Sequence, residues 1–117
     1  MFDFEKLQVY QKAKEYCFEL RKEVLLLSTI DKSAKDQLRR ASMSIMLNIA
    51  EGTSRFSDAD KRNFYVISRG SLFECVAIND LLTEEKIISR DLKMKYYDKA
   101  EEISKMLFVM IKNLEKK

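Results

Sequence analysis

The sequence predicts an all-α protein, an antiparallel up-down-up-down four-helix bundle built as a single domain over residues 1–117. Three observations carry this. There is no proline and there are only two glycines, so the strongest breakers of regular structure are nearly absent. Apolar residues recur with helical spacing in four long stretches, separated by short segments of Ser, Thr and Asp. The stretches are similar in length, and short turns between such helices force neighbours to run antiparallel. At 117 residues the chain can bury a core without disulfide or metal staples. No period repeats along it, so a solenoid is not expected.

The first helix is predicted from about residue 4 to residue 27. Tyr10, Ala13, Cys17, Leu20, Val24 and Leu27 step by three and four residues, the spacing of a bundle seam, with Val9 and Tyr16 on a neighbouring face. Phe2 and Phe4 are expected to plug the bundle end. The second helix is predicted to start near Ser33, with Ser33 and Asp36 as a capping box, and to stop at Gly52 in a left-handed C-terminal cap. Its ten residues from Ala41 to Ala50 carry no charge. Wound at about 100° per residue, Leu38, Ala41, Ser42, Met43, Ile45, Met46, Leu47, Ile49 and Ala50 cover an apolar arc of roughly 240°. One partner face needs a stripe of only about 100° or a little more. The second helix is therefore expected to be covered on more than one side.

Ser57 is expected to cap the third helix, with Asp58 and Asp60 in its first turn, where the helix dipole favours acids. This helix is predicted over residues 58–84. Its seam is read as Phe64, Ile67, Ser71, Cys75, Ile78 and Leu82, widened by Val66, Phe73, Ala77 and Leu81. Gly70 in mid-helix costs about 1 kcal/mol relative to alanine. With Ser71, it is expected to let the second and third helices approach closely. The fourth helix, capped by Ser89 or Asp91, is predicted to about residue 115. Its seam is Leu92, Tyr96, Ala100, Ile103, Leu107, Met110 and Leu114, and Lys93, Lys99, Glu101, Glu102, Lys105 and Lys112 lie opposite. Helices one and four are thus amphipathic, while two and three are apolar most of the way round. Exposed apolar surface of that size marks an interface, so a homo-oligomer is expected.

Catalytic chemistry finds little support. The chain has no histidine, which removes the commonest general base and metal ligand and every Ser-His or Cys-His nucleophile pair. Two isolated glycines make no phosphate-cradling loop. Cys17 and Cys75 fall on apolar stripes outside any CxxC pair and read as buried free thiols. No catalytic residue, metal or cofactor is expected. The opening MFDFEKLQ lacks the order of an export signal, and no apolar run approaches the ~20 residues of a membrane span, so a cytoplasmic protein is expected.

Two polar constellations remain. Ser44, Asn48 and Glu51 on the second helix, with Ser71 and Glu74 on the third, are candidates for a structural polar network between helices. Glu74 falls on the apolar arc between Ile78 and Leu81, and a carboxylate buried there needs a partner. Arg39, Arg40, Arg55, Lys61, Arg62 and Arg69 form the candidate nucleic-acid-binding set. Residues 35–69 hold seven basic side chains, these six and Lys35, against Asp36, Glu51, Asp58 and Asp60. Arginine suits bidentate phosphate contact, and Phe56 among these cations suits base stacking. A net charge of +3 permits a phosphate-rich partner without requiring one.

Gln37, Arg39, Arg40, Ala41, Ser44 and Ile45, followed by Asn48, Ile49, Ala50, Glu51 and Gly52, resemble the signature of the 23S ribosomal RNA intervening-sequence proteins. Arg55, Ser57, Phe64, Gly70, Ser71 and Glu74 continue it, and the opening Phe4, Leu7 and Val9 fit as well. The resemblance implies a four-helix bundle assembling as a homopentamer, without a catalytic residue. Some members are encoded within ribosomal RNA genes, some carry a ribosomal-protein label, and most have no established role. A similar protein accompanies the reverse transcriptase of diversity-generating retroelements, binding nucleic acid and the enzyme. The chain departs from the family in lacking a proline after the first helix and in its modest charge. The function expected is a non-enzymatic homo-oligomeric bundle associating with RNA or DNA. The alternative is a protein-interaction scaffold with no nucleic-acid role.

Overall fold

The computed structural model describes residues 1–115. A short 3-10 turn, Asp3–Lys6, leads into α1 (Gln8–Glu23), α2 (Lys32–Thr53), α3 (Asp58–Glu84) and α4 (Arg90–Leu114). The four helices form an antiparallel bundle measuring 46 × 25 × 22 Å, and among the described residues there is no strand. The α2–α3 pair makes the most extensive contact and the α1–α4 pair the least extensive of the four neighbouring helix pairs.

The first helix is shorter than its periodicity suggests. Leu7 adopts an extended conformation and separates the 3-10 turn from α1. At the other end the Leu20 carbonyl accepts from both Val24 and Leu25, and the chain then turns tightly, with Leu27 donating to the Val24 carbonyl. The side chains nevertheless continue the seam. Val9, Ala13, Tyr16, Cys17, Leu20, Val24 and Leu25 are all buried. Phe4 closes the end of the bundle edge-on to Tyr10, whereas Phe2, stacked on Phe4, stays largely exposed.

Helix α2 is capped by Asp31, not Ser33. The Asp31 carboxylate accepts from the Ala34 amide at 2.8 Å, and Asp36 is taken up by Lys32 and Arg39. A carboxylate placed before the first turn is the stronger acceptor for its free amides. The two glycines exchange the roles expected of them. Gly52 lies inside α2 with no positive φ, and a Cβ there would sit 2.8 Å from Tyr65 Cε1 and 3.0 Å from Phe64 Cβ. It is Gly52, then, that lets α3 approach α2. A Cβ on Gly70 would meet nothing within 4 Å, because Gly70 faces outward.

Helix α3 has the predicted bounds and the Ser57 cap, which accepts from the Asp60 amide. It is rotated by about one residue from the expected seam. Tyr65, Ser68, Leu72, Cys75, Asn79 and Leu82 face the core. Ser68 is tolerated there because its hydroxyl donates to the Ile45 carbonyl at 2.7 Å. Phe64, Ile67, Ser71 and Ile78 turn instead toward the boundary with α2 and the outside. The α3–α4 turn is a Schellman closure: Ile87 donates to Leu82 O and Lys86 to Thr83 O, with Lys86 at φ 60 where glycine is usual. Ser89 caps α4, whose Tyr96, Ala100, Ile103, Leu107 and Ile111 complete the core.

Candidate functional site

Because alternate helices run antiparallel, one pole of the bundle gathers the end of α2, the start of α3, the 3-10 turn and the end of α4. Three of the six candidate cations stand there. Arg55 pairs with Glu51 at 2.8 Å, and its guanidinium lies 4.6 Å from the Phe64 ring centroid. Lys61 donates to the Thr53 carbonyl at 3.2 Å, tying the first turn of α3 to the end of α2. Arg62 pairs with Glu115, whose carboxyl is held below its ordinary range by Arg62 first and Lys112 second. Between these cations Phe56 is completely exposed.

The other three cations are dispersed. Arg39 pairs with Asp36 at 3.1 Å. Arg69 crosses to α4, where its Nε donates to Ser104 Oγ at 3.1 Å, and its guanidinium packs against the rings of Phe73 and Phe108. It lies in a groove of about 620 Å³ between α3 and α4, lined also by Val76, Tyr97 and Lys105. Arg40 is exposed and makes no hydrogen bond or ion pair with the described residues.

The expected polar set is brought together in part. Asn48 Nδ2 donates to the Ser44 carbonyl at 2.8 Å and to Ser44 Oγ at 2.9 Å. Ser71 Oγ donates to Ser44 Oγ at 2.8 Å, joining α3 to α2. Glu51 is engaged by Arg55 instead. Glu74 is exposed and makes no hydrogen bond or ion pair with the described residues. It does lie on the apolar arc, but in the single chain that arc faces outward. Two further links between α2 and α3 have no signature in the sequence: Ser68 to Ile45, and the hydroxyls of Thr53 and Tyr65 at 2.9 Å. Lone Ser, Thr and Tyr residues carry no pattern that marks such pairs.

The outer face of α2 and α3 is uncovered. Met43 is 37% exposed, Leu47 51%, Ile67 50% and Leu81 54%. Glu74 and Arg40 lie among them by helical winding. Large apolar side chains left open on two adjacent helices are unusual for a solvated face.

A second charged feature joins α1 to α4. Lys95 of α4 bridges Glu19 at 3.2 Å and Glu23 at 2.7 Å, Lys99 reaches Glu15 at 3.4 Å, and Lys12 meets Glu102 at 3.1 Å. Tyr96 also donates to Glu23. The hydrogen bond from Lys95 and then that from Tyr96 hold the Glu23 carboxyl below its ordinary range. Burial pushes Glu19 up, but the bond from Lys95 and its neighbours outweigh this and bring it down. Both cysteines are buried and free, and burial pushes the Cys75 thiol far up. Among the described residues no three His, Cys, Asp or Glu side chains gather where they could hold a metal ion. No helix of the described residues is long and apolar enough to cross a membrane. What this chain presents is surfaces: a basic and aromatic pole, and an apolar face along α2 and α3.

Comparison with known proteins agrees with the helical fold. A crystal structure of a protein with unknown function from the S23 ribosomal protein family of Bacteroides thetaiotaomicron is similar over 89% of this chain and 98% of its own, with a TM-score of 0.83 and 25% identity. No curated protein matches the chain. The model of the family described as 23S rRNA-intervening sequence protein matches residues 5–109, from the 3-10 turn through most of α4. The chain belongs to the 23S rRNA-intervening sequence protein family.

Proposed function

We propose that the protein works without catalysis, as a self-associating helical bundle that engages RNA or DNA at the pole around Arg55, Lys61 and Arg62. The observation that carries the self-association is the open face of Met43, Leu47, Ile67 and Leu81. Covering it by further copies gives these residues the apolar neighbours that α2 and α3 lack in one chain. Five copies is the number the family likeness suggests. Repetition then sets several weak basic poles side by side, so a modest +3 per chain becomes a multivalent surface.

At the pole, the exposed Phe56 supplies a stacking face and the three cations supply phosphate contacts. The ion pairs that engage Arg55 and Arg62 are exposed, and exposed pairs contribute little because water and salt screen them. Phosphate can therefore displace Glu51 and Glu115. The test is binding of a labelled ribosomal RNA fragment and of mixed-sequence single-stranded DNA across a salt series. Affinity should fall steeply with salt. Replacing Arg55, Lys61 and Arg62 by glutamine should make that dependence shallower, by about 0.7–0.9 in log–log slope for each phosphate no longer neutralised. No binding at low salt refutes the nucleic-acid reading.

One observation favours the protein scaffold as the second reading: five of the six candidate cations are engaged within the chain. Co-purification with one defined protein, unaffected by nuclease, identifies that case. A reverse transcriptase is the partner to try first, from the likeness to retroelement accessory proteins.

A further inference from the structure

We propose that Arg40 of one copy forms an ion pair with Glu74 of a second copy when the α2–α3 face is covered. This rests on the self-association proposed above and names the contact that sets its register. Arg40 stands one turn before Ser44 on α2, and Glu74 about one turn after Ser71 on α3. The bonds from Ser71 to Ser44 and from Ser68 to Ile45 fix the two antiparallel helices against each other. They place Arg40 and Glu74 at the same level, on the outward sides of that seam. Their charged neighbours are already matched, Arg39 with Asp36 and Arg55 with Glu51. Among the described residues Arg40 and Glu74 make no such pair, the Arg40 charge acting only at longer range to help hold the Asp36 carboxyl down. Both are exposed among Met43, Leu47, Ile67 and Leu81.

Anything that covers this face removes water from one cation and one anion at once. A charge buried without a partner is far more costly than one left in water. The covering surface must therefore carry an acid where it meets Arg40 and a base where it meets Glu74, amid apolar side chains. A second copy of the same face offers that combination, because Arg40 and Glu74 complement each other. An extended nucleic acid carries no cation for Glu74 and little apolar surface for Leu47 and Ile67.

The test uses the whole chain, with mass measured by light scattering and sedimentation across a concentration series and helicity checked by circular dichroism. Both residues are exposed in the single chain, so Arg40→Glu and Glu74→Arg should fold normally. Each alone should weaken assembly at least about tenfold in dissociation constant. The double variant should assemble again. An equimolar mixture of the two single variants should assemble further than either variant alone, because contacts between unlike chains restore an acid–base pair, while in a ring of five at least one contact still joins like chains. Single variants that assemble like the parent overturn the pair and leave self-association standing. Rescue by the double variant, with a mixture that assembles no further than either single variant, overturns it in favour of a pair within one chain. A parent chain that is monomeric throughout overturns self-association and the pair together.

Discussion

Replacing Gly52 by alanine tests how α2 and α3 are held together. A Cβ at this position would lie 2.8 Å from Tyr65 Cε1 and 3.0 Å from Phe64 Cβ. Neither atom is the free end of a flexible side chain. Tyr65 is buried, its hydroxyl is tied to Thr53, and Phe64 Cβ is attached to the α3 backbone. Relief requires α3 to move away from α2 by a few tenths of an ångström, which loosens the Ser68–Ile45 and Ser71–Ser44 bonds. Overpacking of this kind costs about 1–3 kcal/mol. The better helix propensity of alanine returns at most about 1 kcal/mol, and less in a last turn. The expected net loss is about 1–2 kcal/mol, or a drop of roughly 0.5–1 M in the urea midpoint. Gly70→Ala is the matched control. Nothing lies within 4 Å of its Cβ, so only the propensity gain of about 0.5–1 kcal/mol remains and the midpoint should rise. Urea unfolding followed by circular dichroism at equal chain concentration measures both. Gly52→Ala matching or exceeding the parent in stability, or both variants shifting the same way, would refute the close approach at Gly52.

Three further outcomes are expected. Lys86→Gly should stabilise the chain by about 0.5–1 kcal/mol in the same urea assay, because Lys86 holds φ 60 inside a Schellman closure at little benefit to itself. Tyr16→Phe should be neutral or stabilising by about 1 kcal/mol, since the buried hydroxyl has no hydrogen-bond partner among the described residues while its ring keeps the edge-on contact with Tyr96; a clear loss of stability would show that the hydroxyl is satisfied in solution. Glu19 and Glu23 are depressed in the folded chain, so their contribution is present above the ordinary value of 4.5 and is lost as pH falls through the lower folded values. Lys95 is raised by Glu23 and then Glu19, so its contribution is full below 10.5 and is lost as pH climbs past that. Lys95→Met should therefore flatten the acid-side fall of the urea midpoint, from about pH 6 down to about pH 3, and an unchanged acid limb would contradict this.

The bundle is legible in the sequence because its signals are local and redundant. Serine and aspartate caps, steps of three and four, and the lack of proline all point to the same four helices. The bounds of α3 and the cap at Ser89 follow from such signals alone. What the sequence leaves open depends on a partner surface. The face of α3 is ambiguous by about one residue, because Ser68 and Asn79 look polar until the Ile45 carbonyl is seen beneath Ser68. Gly52 looks like a cap because it ends an apolar run, and only the Tyr65 ring gives the other reason for a glycine. For the candidate site, Ser44 and Asn48 belong together at the one-turn spacing that sequence can show. Glu51 goes to Arg55 by the same spacing in the opposite direction, and periodicity does not rank two neighbours one turn away. The surplus apolar surface is visible in composition, while the direction it faces requires the fold.

The narrow seam between α1 and α4 is expected to set the order in which the molecule comes apart and together. The pairing of α2 with α3 closes a short loop and makes the most extensive contact, whereas α1 meets α4 across nearly the whole chain length, through a row of lysines and glutamates at the rim. Loop closure of that span carries the larger entropic cost. The hairpin of α2 and α3 is thus expected to form first and exchange its amide hydrogens last, with the terminal helices opening around it. The face proposed to recruit further copies lies on that hairpin, so assembly is expected to outlast fraying of the chain ends.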